Sequence, residues 1–142
     1  MKIKDIMTKQ VASLTREDSV EKAAELMKEY NVGSIPVCEG DKVIGIITDR
    51  DIALRSVAEG ENAERQSVGE VMSSNPVVGK PEMDAHDAVR IMSERQIRRL
   101  PIVENGSLVG MISLGDLAVD SKLNDNAGAA LGEISEPSSP TM

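Results

Sequence analysis

The sequence contains no Phe and no Trp, and Tyr30 is its only aromatic residue. Recognition by stacking on aromatic rings is therefore excluded, and with it the platforms on which single-stranded nucleic acids are usually held. A surplus of basic charge is missing too: 24 Asp and Glu against 16 Lys and Arg leave a formal net charge of −8. Polyanion affinity comes mainly from phosphate neutralisation, so nucleic acid is not an expected partner. Uninterrupted apolar stretches extend only a few residues, far short of the roughly 20 needed to cross a bilayer. The opening MKIKDIMTKQ has lysines but neither an apolar core nor a small-residue cleavage site, so it does not read as a secretory signal. These absences predict a cytoplasmic protein without membrane contact. Cys38 is the only cysteine, which rules out an internal disulfide and a multi-cysteine metal cluster. It is expected to be a small, half-buried side chain at a strand end.

What the chain does have is aliphatic bulk. Hydrophobic residues make up 40% of the 142, with eight Met among them, and a chain of this length can bury roughly two-thirds of its unfolded surface.

Those residues are written twice. IKDIM (3–7) aligns with VGEVM (68–72), a shift of 68 − 3 = 65 residues, and the register holds without a gap to residue 118. Met7 falls on Met72, Ala23 on Ala88, Met27 on Met92, Pro36 on Pro101, Gly45 on Gly110, Ile47 on Ile112 and Asp51 on Asp116. Conservative pairs such as Val37/Ile102 and Thr48/Ser113 fill the intervals.

Each copy carries the same local signals in the same order. A short apolar piece, Val11–Leu14 or Pro76–Val78, precedes an amphipathic helix. Val20, Ala23, Ala24, Met27 and Tyr30 form one stripe at spacings of three and four, and Ala85, Ala88, Val89 and Met92 form the other. Ser19 and Asp84 stand at the N-cap positions. SIPVC and KVIGIIT flank Glu39-Gly40-Asp41, while RLPIV and LVGMIS flank Glu104-Asn105-Gly106, where Asn-Gly is a strong hairpin signal. A last helix follows, from about Asp49 to Ala58 and from about Leu114 to Ser121. The fold class is α+β: two β-α-β-β-α units in pseudo-twofold tandem, small sheets with helices packed against them. Residues 59–67 are charged and poor in apolar side chains, so the first domain is set at 1–60, a linker at 61–67, the second domain at 68–121 and a flexible tail at 122–142.

The runs GSIPVCEGDKVIGIITDRDI and RRLPIVENGSLVGMISLGDL resemble the core of the CBS domain, which occurs in tandem pairs called Bateman modules. The likeness covers about residues 3–119 and combines a strand-Pro-strand run, a G-φ-φ-[ST]-x-x-D motif and a gapless duplication. It implies a regulatory, energy-sensing module that binds an adenosine nucleotide (AMP, ADP or ATP), or S-adenosylmethionine, in clefts between the copies. By the same resemblance Asp51 and Asp116 accept hydrogen bonds from ribose hydroxyls, and Thr48 and Ser113 sit beside ribose or phosphate. Gly33, Ser34, Ile35 and Pro36, with Arg98, Arg99, Leu100 and Pro101, offer backbone groups to the base, and Ile46 and Met111 form apolar walls. It further implies a homodimer, able to act through an effector protein.

The residues themselves allow a plainer account of the motif. Thr48-x-x-Asp51 and Ser113-x-x-Asp116 each open a helix, and an acid three positions after Ser or Thr is close to a capping box. Arg98 and Arg99 break the internal symmetry, since the matching positions in copy one are Gly33 and Ser34; two adjacent guanidinium groups suit phosphate oxygens. Arg50, Arg55 and Lys80 are weaker candidates, His86 reads as a surface residue, and Met27 and Met92 as core or dimer surface. The chain has no Cys–His or Ser–His constellation, no Walker-type glycine loop and no cofactor-lysine context, so no catalysis, cofactor or metal is expected. The alternative function is a homodimeric interaction scaffold without a physiological ligand.

Overall fold

The apolar stripes become two helices of equal length. In this computed structural model, which describes residues 1–118, 131, 132 and 134, α1 spans Val20–Tyr30. Ser19 caps it by accepting the Lys22 N–H at 3.1 Å. Its counterpart, the helix Ala85–Arg95, is capped by Asp84, which accepts the His86 N–H at 2.8 Å. Both end on a left-handed residue, Asn31 (φ 53°) and Gln96 (φ 54°), one repeat apart (96 − 31 = 65), whose N–H returns to the carbonyl of Met27 or Met92. Val20, Ala23 and Met27 are buried, as are Ala85, Ala88, Val89 and Met92. Ala24 and Tyr30 are not: they fall at the edges of the first stripe, and Tyr30 is 56% exposed.

The hairpins follow the expected runs. β1 (Ser34–Glu39) and β2 (Lys42–Thr48) pair antiparallel, with Ser34 opposite Thr48 and Pro36 opposite Ile46, and a bulge after Val37. From Thr48, α2 covers Asp49–Ile52 and continues as one π-helical turn, Ala53–Val57. A short α3 (Val68–Val71) and β3 (Ser73–Ser74) come next, and the helix at 85–95 is therefore α4. β4 (Arg99–Glu104) and β5 (Ser107–Ser113) are joined by Asn105-Gly106, both with positive φ (53° and 83°), as a tight hairpin turn requires. α5 (Leu114–Ala118) closes the described chain. Residues 119–121 of the predicted last helix, and the predicted tail from 122 apart from 131, 132 and 134, lie outside the described residues.

The first strand expected in each copy shrinks to a single bridge. Leu14 pairs parallel with Val37 through Leu14 N–H to Pro36 O (3.0 Å) and Cys38 N–H to Leu14 O (2.7 Å). In copy two the bridging residue is Gly79, opposite Ile102. Turns at Thr15–Asp18 and Lys80–Met83 bend the chain away directly afterwards, which stops the ladder.

The compact units do not coincide with the repeats. One contains 11–77 and 105–108; the other contains, among the described residues, 1–10, 78–104 and 109–118. The opening segment of each copy is thus exchanged. In the unit of copy one, β3 pairs with β2 (Ser73 opposite Ile46, Ser74 opposite Gly45), and Val68, Val71 and Met72 join a core with Leu14, Val20, Ala23, Met27, Ile35, Val37 and Ile47. In the unit of copy two, Thr8 pairs with Met111, Ile3 is fully buried, and Lys2 and Lys4 form ion pairs with Glu82 at 2.7 and 3.1 Å.

The motif glycines explain how the segments fit. A Cβ on Gly45 would lie 2.7 Å from Met72 Sδ, and one on Gly110 2.5 Å from Met7 Sδ. Only a hydrogen leaves room for the methionine.

Candidate functional site

Each copy places its motif where the second hairpin strand turns into a short helix. Asp51 N–H donates to Thr48 Oγ1 and Thr48 N–H to Asp51 Oδ2, both at 3.0 Å. Ser113 and Asp116 repeat this arrangement at the same two distances. The capping box is therefore real in both copies. It uses one carboxylate oxygen; Oδ1 of either aspartate accepts no hydrogen bond among the described residues. Because Thr48 and Ser113 spend a lone pair on the cap, each hydroxyl proton stays available to a further acceptor. All four residues are half-buried.

The motif is tied to the start of the neighbouring strand. Asp49 N–H donates to the Gly33 carbonyl at 2.9 Å, and Leu114 N–H donates to that of Arg98 at 2.8 Å. Ser34 stands directly across from Thr48, and its Oγ is enclosed without a hydrogen-bond partner. Ile35 and Leu100 point into the cores, so only their backbone could face a ligand. The Pro36 and Pro101 carbonyls are already taken, by Leu14 N–H and Gly79 N–H. Ile46 is partly exposed and Met111 is buried. Within each unit, strand start and motif thus come together.

The two halves differ in charge. Arg98 is exposed and Arg99 half-buried, and neither forms an ion pair among the described residues. In copy one the same strand start is bare backbone at Gly33, and the Asp49 carboxylate leans over it: a Cβ on Gly33 would lie 3.0 Å from Asp49 Oδ2. Asp49 Oδ1 accepts the Arg50 N–H at 2.8 Å, which holds the side chain in that direction. Its counterpart in copy two is Leu114, which is buried. Sequence reading missed Asp49, although the Asp49/Leu114 mismatch in the repeat was the available signal.

The weaker candidates separate. The Arg55 guanidinium donates to the carbonyls of Val71 (3.0 Å) and Met72 (3.4 Å) at the end of α3, a structural duty. His86 is exposed beside Asp84, and hydrogen bonds from the His86 backbone N–H and ring hold the Asp84 carboxyl below its ordinary value. Met27 and Met92 are core residues. Cys38 is more buried than expected, at 6% exposure, and burial pushes its thiol pKa up, which favours the unreactive thiol. Among the described residues no three His, Cys, Asp or Glu side chains are grouped so as to hold a metal ion. None of the described helices is long and apolar enough to cross a membrane.

Comparison with known proteins agrees with this architecture. The family model of the CBS domain matches residues 3–57 and again 68–119. A CBS domain-containing protein of Bacillus subtilis, YhcV, is 50% identical over 133 residues, covering 94% of each chain. Among solved structures, Hypoxic Response Protein I, determined with two coordinated zinc ions, superposes with a TM-score of 0.78 at 28% identity, covering 84% of this chain and 98% of its own. The CBS domain pair of protein MJ0100, in complex with 5′-methylthioadenosine and S-adenosyl-L-methionine, gives 0.74 at 25% identity, covering 83% and 93%.

Proposed function

The chain belongs to the CBS domain family and carries two of its domains in tandem, and from this premise we propose that it is a non-catalytic, cytoplasmic sensor of an adenosine nucleotide. The observation that carries the reading is the duplicated cap. In each copy a half-buried aspartate keeps one carboxylate oxygen unused beside the strand start, and ribose hydroxyls are donors suited to it. The Thr48 and Ser113 hydroxyls can donate to ribose or phosphate oxygens. The strand starts at 33–35 and 98–100 offer backbone groups to the base, with Ile46 as a partly exposed apolar neighbour. Arg98 and Arg99 hold phosphate, each charge-assisted bond contributing roughly 1.5–3 kcal/mol where solvent is restricted. The adenosyl compounds bound by the MJ0100 pair support the class of ligand, and the arginines favour a phosphorylated member of it over S-adenosylmethionine.

Titration calorimetry with AMP, ADP, ATP and S-adenosylmethionine tests the reading. Nucleotide should bind, and Asp116→Ala should weaken it more than Asp51→Ala, because only copy two has the arginine pair. A folded protein that shows no heat of binding at millimolar nucleotide refutes it.

A second reading, a homodimeric scaffold, draws on exposed apolar side chains in the unit of copy one: Tyr30, Leu54 and Val57 are 56%, 50% and 70% exposed. Light scattering would then report a dimer indifferent to nucleotide. A dimer whose stability rises with AMP would instead unite the two readings.

A further inference from the structure

Resting on the nucleotide reading above, we propose that Asp49 is a specificity-determining residue that makes the copy-one half of the module reject phosphate. The two halves would then take different chemical classes: a phosphorylated nucleoside at copy two, and a nucleoside without negative charge at copy one.

The argument starts from matched positions. Position 33 in copy one corresponds to position 98 in copy two (98 − 33 = 65), and 49 corresponds to 114 (114 − 49 = 65). Both strand starts are fixed to their motif helices by the same backbone bond, at 2.9 and 2.8 Å, so the two positions are equivalent in space as well as in sequence. At copy two this place carries a guanidinium at 98, and residue 114 is withdrawn into the core. At copy one it carries no side chain at 33, and the carboxylate of residue 49 fills the space instead, with Oδ2 3.0 Å from where a Cβ would stand. The sign of the charge beside the strand start is therefore inverted, not merely absent. Among the described residues Asp49 forms no ion pair, so nothing neutralises it. Asp49 Oδ2 stands over the strand start at Gly33, the position whose counterpart, Arg98, is proposed to hold phosphate in copy two, so a phosphate held at the same place in copy one would meet the carboxylate. Two anionic groups at such separations repel, while a neutral hydroxyl at the same point can donate to the carboxylate.

Calorimetry with AMP and with adenosine, on the full chain and on Asp49→Asn, tests this. Asn keeps the side chain's size and its acceptor for the Arg50 N–H. Wild type should bind AMP at one strong site and at a second that is weaker by roughly tenfold or more, the order expected for one charge at close range near a protein surface. Asp49→Asn should strengthen the weak AMP site by a similar factor, leave adenosine affinity unchanged within about twofold, and lose its advantage at high salt because Asp49 is exposed. Adding Asp51→Ala to Asp49→Asn should abolish the gained site. Two AMP sites of equal affinity in wild type, no gain in Asp49→Asn, or an equal gain for adenosine and AMP each overturns the proposal while leaving nucleotide sensing intact. No binding of either ligand to wild type removes the parent reading and this one with it.

Discussion

Gly45→Ala inserts a methyl group where the exchanged segment already sits. Its Cβ would lie 2.7 Å from Met72 Sδ and 2.8 Å from the Ser73 carbonyl oxygen, whereas non-bonded heavy atoms settle about 3.5–4.0 Å apart. The contact with Ser73 must therefore open by at least about 0.7 Å (3.5 − 2.8). The thioether can swing aside, but the carbonyl belongs to backbone paired opposite Ile46, so β3 has to move as a piece. Overpacking of this kind costs about 1–3 kcal/mol. Against it stands a gain of about 0.4–1 kcal/mol, because alanine restricts the unfolded chain more than glycine does. Gly45 is not in the left-handed region, so no backbone strain enters, and the net expectation is a loss of about 1–2 kcal/mol. At Gly110 the nearest atoms are Met7 Sδ (2.5 Å) and Cγ (2.9 Å), with the Thr8 carbonyl at 3.0 Å. There the tightest contact is with a flexible and partly exposed side chain, so Gly110→Ala should lose about 1 kcal/mol or less. Met7→Ala and Met72→Ala should each rescue the matching glycine variant only in part, since the Thr8 and Ser73 carbonyls remain. Urea unfolding followed by far-ultraviolet circular dichroism measures all of these, the chain having no Trp for fluorescence. A Gly45→Ala protein as stable as wild type, or a larger loss for Gly110→Ala, refutes the packing argument.

Arg55→Ala should cost about 1 kcal/mol in the same assay by uncapping the Val71 and Met72 carbonyls, while AMP affinity stays unchanged; a loss of binding without a loss of stability would return Arg55 to the ligand site. Glu21 is half-buried, and that burial, with the charges of Glu64 and Glu25, raises its carboxyl pKa. A carboxyl whose folded pKa exceeds its unfolded one adds stability at low pH that disappears as pH rises through the folded value, so at pH 7 the ionised Glu21 is a liability. Glu21→Gln should therefore melt at a higher temperature than wild type at neutral pH, and the difference should vanish below about pH 4, where unfolded glutamate also holds its proton. A gain confined to acid pH would contradict this.

The elements that could be read from the sequence are those whose determinants are local. Ser19 and Asp84 cap where they were expected, and Asn105-Gly106 turns where an Asn-Gly pair should. Val11–Leu14 misled because its apolar pattern says nothing of the turn at Thr15–Asp18 that cuts its ladder to one residue. The segment exchange could not have been read at all. Met7 and Met72 are identical, as are Gly45 and Gly110, so the sequence is equally satisfied whether each methionine packs on its own copy's glycine or on the other's. At the site, the Thr48–Asp51 and Ser113–Asp116 spacing signalled capping and ligand binding alike, and the cap leaves one carboxylate oxygen free for the second role. Asp49 is not legible in the same way, because the cations that break the symmetry are Arg98 and Arg99, while the inversion lies in what faces Gly33.

The exchange of opening segments also sets an order of assembly during synthesis. The unit of copy one is nearly contiguous, so it can close once residue 77 has left the ribosome, apart from the hairpin tip at 105–108. Thr8, by contrast, must wait for Met111, which is 103 residues later (111 − 8). At about 5–20 residues per second that delay is roughly 5–20 s, long compared with the time in which a hairpin or helix forms. For that interval the pairing backbone of Thr8 lacks its partner, and for its last 34 residues (111 − 77) the unit of copy one is already almost complete. Of residues 1–118, the earliest made are the last to find their place.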